Sequence, residues 1–95
     1  MSVLNELATS LNLKDESANI KLAHNLANNN DKESVEELIQ NLNNKDKKIQ
    51  NDCIKVLYEA GTLKPSLIAK YSNEFIKHLD SKNNRMQWGA MTALY

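Results

Sequence analysis

The sequence predicts an all-α fold, a right-handed α-α superhelix (solenoid) of three helical hairpins, and three observations carry that reading. Residues 38–58, LIQNLNNKDKKIQNDCIKVLY, slide onto residues 75–95, FIKHLDSKNNRMQWGAMTALY, at an offset of 37. Ile39 then meets Ile76, Leu42 meets Leu79, Lys45 meets Lys82, Gln50 meets Gln87, Leu57 meets Leu94 and Tyr58 meets Tyr95. A second offset, of 31, joins Leu11, Asn12, Lys14 and Asp15 to Leu42, Asn43, Lys45 and Asp46, so the repeat has three units. Helix breakers are scarce, with one Pro and two Gly in 95 residues, while Leu, Ala, Lys and Glu are abundant. A pair of helices cannot bury both apolar stripes alone, so stacking successive pairs builds one core, and three pairs is the usual minimum.

Each element follows from spacing and punctuation. Val3, Leu4, Leu7, Ala8 and Leu11 form the stripe of a first helix over 2–13, with Ser2 as its N-cap. A second helix runs from about Glu16 to Ala27 and turns Ala18, Leu22, Ala23 and Leu26 inward. Asn28 to Glu33 is a loop, because Asn suits caps and turns. Ser34 with Glu37 has the form of a capping box opening a third helix, whose stripe is Val35, Leu38, Ile39 and Leu42. Asp46 caps a fourth helix to about Ala60, with Ile49, Cys53, Ile54 and Leu57 inward, and Gly61 ends it in a left-handed conformation. Pro65 opens a fifth helix to Leu79, burying Ile68, Tyr71, Phe75, Ile76 and Leu79. Asn83 caps the sixth, which carries Met86, Ala90, Met91 and Leu94 inward. The three units, about 2–27, 34–60 and 65–95, make one domain over 1–95.

The segment Leu79-Asp80-Ser81-Lys82-Asn83-Asn84-Arg85-Met86-Gln87-Trp88-Gly89-Ala90-Met91-Thr92-Ala93-Leu94 resembles the second half of a HEAT or armadillo-type repeat. The shared features are a leucine closing one helix, a short Asp/Asn turn, then an apolar residue and a small-residue helix ending in Ala-Leu. The third unit is similar throughout, the second fairly and the first loosely. The offsets of 31 and 37 are shorter than the usual repeat of about 40–47 residues. Where HEAT units often carry a basic residue, this chain has Asn19, Gln50 and Gln87. The resemblance implies a binding scaffold and brings no catalytic residue with it.

Composition narrows the function classes. A single Cys excludes an internal disulfide and fits a reducing compartment. The opening MSVLNEL lacks the pattern of a signal peptide, and no apolar run approaches a membrane span. The expectation is a soluble, cytoplasmic protein. Net charge is zero but divided. Residues 1–44 hold three Lys against seven acids, −4, and residues 45–95 hold eight Lys and one Arg against five acids, +4.

His24, His78 and Cys53 show no metal-type spacing, and no glycine-rich phosphate loop exists, so the expectation is no catalytic residue, no metal and no cofactor. Lys14, Lys45 and Lys82 recur at one position of the repeat, and Lys48 and Arg85 at another, with Lys47 beside them. In a stacked array these form a basic strip along one edge, suited to an acidic partner or a phosphate backbone, although turns are polar in any case. Trp88 matches Ile20 and Asn51 and lies off the inward stripe, the place for an interface anchor or for packing on a neighbouring helix. The expected function is non-catalytic binding of a protein or peptide on the surface lined by the even-numbered helices, through Lys45, Lys48, Lys82, Arg85 and Trp88. The alternative is a nucleic-acid-binding protein, including HEAT-like DNA repair glycosylases, with Trp88 as a stacking platform. The last residues, Ala90, Met91, Ala93, Leu94 and Tyr95, are largely apolar, where a terminal unit needs a polar outer face. The expectation is therefore the N-terminal part of a longer array, or self-association through the C-terminal helix.

Overall fold

A computed structural model of the chain describes Leu7, residues 17–78 and Gly89. Among these residues all regular structure is helical. The expectations on the rest of the first helix, on the sixth helix and on Leu79, Lys82, Arg85 and Trp88 lie outside the described residues.

Helix α1, Ser17–Asn29, buries Asn19, Leu22, Ala23 and Leu26, which recur at i, i+3, i+4 and i+7 along one face. Asn30 ends it with φ 50°, a left-handed conformation that Asn tolerates better than most residues. The Asp31 amide donates to Leu26 O at 3.1 Å and the Asn30 amide to Ala27 O at 3.4 Å, the paired bonds of a Schellman motif. The Asn cluster at 28–30 therefore punctuates the chain as its composition suggests, two residues later than the sequence places it.

Helix α2, Lys32–Gln40, is capped by Asp31 and not by Ser34. The Asp31 carboxylate accepts from the Ser34 amide at 3.2 Å and from its hydroxyl at 2.8 Å. Asp31 can reach the orphan amide at the third helical position, so the helix opens three residues before the predicted capping box. Val35, Leu38 and Ile39 face the core, and a 3-10 turn, Asn41–Asn43, buries Leu42.

Helix α3, Lys47–Leu63, is the centre of the described structure and packs against α1, α2 and the 3-10 turns on either side of it. Asp46 caps it as predicted, accepting from the Lys48 amide at 2.9 Å. Gly61 does not end it. The helix continues to Leu63 and stops at Lys64, which leaves the helical region (φ −148°, ψ 86°) as a residue before proline favours. Gly61 instead lies buried against Ile68, which a Cβ at that position would overlap. The glycine permits close approach and turns nothing.

The predicted fifth helix is replaced by two 3-10 turns, Pro65–Leu67 and Ala69–Tyr71, and a short helix α4, Ser72–His78. The Ser72 hydroxyl donates to Ala69 O at 2.8 Å, a local bond that competes with continuous α-helix. A 3-10 turn advances three residues per turn where α-helix advances 3.6, so the buried face rotates. Leu67, Ile68 and Phe75 are inside, Tyr71 is half-buried, and Ile76 is 52% exposed where the repeat register places it inward. Leu7 and the inward residues of α1–α4 form one apolar cluster.

Candidate functional site

The turn between α2 and α3 is built from asparagine. Asn41 Nδ2 donates to Glu37 O at 2.8 Å, Asn44 Nδ2 to Asn41 Oδ1 at 3.0 Å, and the Asp46 amide to Asn44 Oδ1 at 2.8 Å. Gln50 Nε2 reaches back to Asn44 O. These bonds satisfy backbone groups that helix ends leave open, and they hold the turn in one shape. Lys45, Lys47 and Lys48 stand exposed on it. The structure thus brings Lys45, Lys47 and Lys48 of the expected strip onto one short edge; Lys14, Lys82 and Arg85 fall outside the described residues, as does Trp88.

Further exposed or half-buried side chains lie on α1 and α3, the second and fourth helices of the sequence reading. Ile20 on α1, the counterpart of Trp88, is 38% exposed. On α3, Lys55 Nζ sits 3.2 Å from Glu59 Oε1 and 4.9 Å from the centroid of the Tyr58 ring. Lys55, Tyr58 and Glu59 are all half-buried. The hydrogen bond with Tyr58, and after it the Glu59 carboxylate, hold the Lys55 ammonium above its ordinary pKa, against the opposing effect of burial. The arrangement is an aromatic ring with a cation and a carboxylate beside it.

Among the described residues, no group of three or more His, Cys, Asp or Glu is placed to hold a metal ion. A shallow groove of about 480 Å³ runs along α2, lined by Glu33, Ser34, Glu36, Glu37 and Gln40. Its lining is polar throughout, unlike the mostly apolar walls of small-molecule pockets. Among the described residues, no helix is long and apolar enough to cross a membrane.

Cys53 is fully buried on α3, as its repeat position predicts. Burial first, then the nearby carboxylates of Asp52 and Glu37, push its thiol up to about 12. A thiol this reluctant to ionise is a poor nucleophile. The raised value has a consequence for stability. Below the unfolded value near 9 both states keep the proton; above it the unfolded chain loses the proton first, so stability falls as pH rises towards 12. Wild type should therefore lose more stability than Cys53→Ala between about pH 9 and 12, measured by urea unfolding at each pH. Parallel pH profiles for the two proteins would refute the assignment.

Two residues escaped the sequence reading. Asn19 on α1 is fully buried and Asp52 on α3 is 7% exposed, and Asn19 Nδ2 donates to Asp52 Oδ1 at 2.9 Å. A signal for Asn19 existed: it shares the i, i+3, i+4, i+7 spacing of Leu22, Ala23 and Leu26. Its polar side chain disguised its place on the stripe. Comparison with known proteins adds no likeness, since no family model, curated protein or solved structure matches the chain.

Proposed function

We propose that this chain is a non-catalytic helical-repeat scaffold that binds a protein or peptide along the outward face of α1 and α3. The ordered Lys55–Tyr58–Glu59 group, with Ile20 on the next helix, carries the reading. Tyrosine held beside a neighbouring cation loses little freedom on binding, and the exposed Ile20 offers apolar contact. Trp88 enters the proposal only through the sequence repeat, in register with Ile20.

The solenoid arrangement of HEAT-like hairpins belongs to the same proposal, and two contacts support it. Asp52 of the second unit packs against α1 of the first. Gly89, its counterpart at the offset of 37, packs against Ile54 of the second unit. Equivalent positions facing the preceding unit are what stacking of similar hairpins produces. Self-association through the C-terminal helix and a cytoplasmic setting are further parts of this reading.

A random linear peptide library displayed on phage and selected on the 95-residue chain tests the proposal. A selected peptide should lose about tenfold or more in affinity on Tyr58→Ala, an interface aromatic, and change little on Lys45→Ala or Lys48→Ala. Failure to enrich any peptide, or binding indifferent to Tyr58 and Ile20, would count against it.

The exposed Lys45, Lys47 and Lys48 favour a second reading, binding of a nucleic-acid backbone on the asparagine-built turn. With about three phosphate contacts, affinity for single-stranded DNA should fall roughly twentyfold between about 50 and 200 mM salt. Weak, salt-insensitive binding would remove this reading.

A further inference from the structure

We propose that the buried Asn19–Asp52 hydrogen bond fixes the register of α1 on α3, keying the first hairpin to the second, and contributes selectivity more than net stability. Apolar residues discriminate between registers only through shape. Leu22, Ala23 and Leu26 on α1, and the buried apolar residues of α3, recur at helical spacing and carry no hydrogen-bond direction. Sliding one helix by a turn, about 5.4 Å, exchanges one aliphatic neighbour for another. The polar pair behaves differently. Asn19 and Asp52 meet at 2.9 Å in one register, and in any shifted one a buried amide and a buried carboxylate lose each other. Removing one partner of a buried polar pair costs far more than the pair contributes relative to an apolar replacement, and such groups are best known for setting alignment.

The repeat shows that the device is specific to one interface. At the position of Asp52 the first unit has Lys21, which is exposed, and the third has Gly89, which seats Ile54. At the position of Asn19 the second unit has Gln50, which bonds the Asn44 carbonyl within its own turn. Each junction is therefore formed by different chemistry, and a hairpin stacked out of order would find no matching partner. The register also sets the spacing between Ile20, next to Asn19, and Lys55 and Tyr58, within two turns of Asp52. The lock stands whether or not that face binds a peptide.

The test compares four variants of the full chain by amide NMR, hydrogen exchange and urea unfolding. Asn19→Leu and Asp52→Leu singly should each lower the folding equilibrium constant at least about tenfold, because each removes one side of a buried hydrogen bond. Asn19→Leu with Asp52→Leu should restore the folding constant to within about tenfold of wild type. Its α1 amides should nevertheless split into two or more sets of resonances and exchange faster relative to α3. The swap, Asn19→Asp with Asn at position 52 (D52N), rebuilds the bond in reverse and should return a single set. A single, wild-type-like set of α1 resonances in the double-leucine chain would overturn the proposal. So would failure of that chain to fold, which makes the pair a source of stability, and so would peak doubling that persists in the swap.

Discussion

Phe75→Ala lowers the free energy of unfolding by about 3–5 kcal/mol. The ring is 1% exposed and heads the fully buried side chains in size. Its setting makes it more than one core residue among many. Helix α4 has seven residues and follows two 3-10 turns, so it is too short to persist on helical propensity. Its ion pair, Lys77 Nζ to Glu74 Oε1 at 3.2 Å, lies at the surface and adds a few tenths of a kcal/mol at most, a scale of roughly 0.2–0.5. Burial of Phe75 is what attaches the segment to the core. The neighbouring Ile76→Ala should change stability by about 0.5 kcal/mol or less, because that side chain is 52% exposed. Urea unfolding of both variants gives the comparison. A costly Ile76→Ala beside a mild Phe75→Ala would restore the straight helix from Pro65 that the apolar spacing suggests.

Gly89→Val destabilises the fold by about 3 kcal/mol, the upper end of the overpacking range. Gly89 is helical and buried, and glycine inside a helix costs about 1 kcal/mol relative to alanine. Propensity alone would therefore favour almost any substitution. Packing reverses the sign. A Cβ there would lie 2.6 Å from Ile54 Cγ1 and 3.0 Å from Cγ2, and these atoms belong to a β-branched side chain with little freedom to rotate away. Valine adds two further methyl groups to that contact. Thermal or urea unfolding reads the effect, and a neutral or stabilising outcome would mean that position 89 does not press on α3.

Much of this fold is legible in the sequence where the cause is local. Asp46 caps α3 because a carboxylate two residues before an amide can reach it whatever surrounds them, and the Asn-rich turns follow from side chains that bond nearby backbone. The burial of Leu22, Leu38, Cys53 and Leu57 follows from helical spacing. What the sequence conceals depends on contacts across the chain. Nothing near Gly61 says that it serves the approach of Ile68 and does not cap a helix. Nothing near Pro65 says that 3-10 turns will rotate Ile76 outward. The Asn19–Asp52 bond spans 33 residues, and both partners look like surface residues until the helices carrying them meet. The candidate surface divides the same way. Lys45 and Lys48 were legible because turns are recognisable, whereas the Lys55–Tyr58–Glu59 group emerges only when α3 exposes one side and buries the other.

The account depends on each hairpin being completed by its neighbour, and a double-mutant cycle between Gly89→Ala and Ile54→Ala tests that most directly. Ile54→Ala alone leaves a cavity and should cost about 2–5 kcal/mol, while Gly89→Ala alone overpacks the contact by about 1–3 kcal/mol before its gain in helix propensity. Together the new methyl group occupies part of the space vacated by isoleucine, so the double variant should be more stable than the sum of the two by about 0.5–3 kcal/mol. Strict additivity would show that residue 89 and α3 are independent, and the stacked arrangement would fall with it.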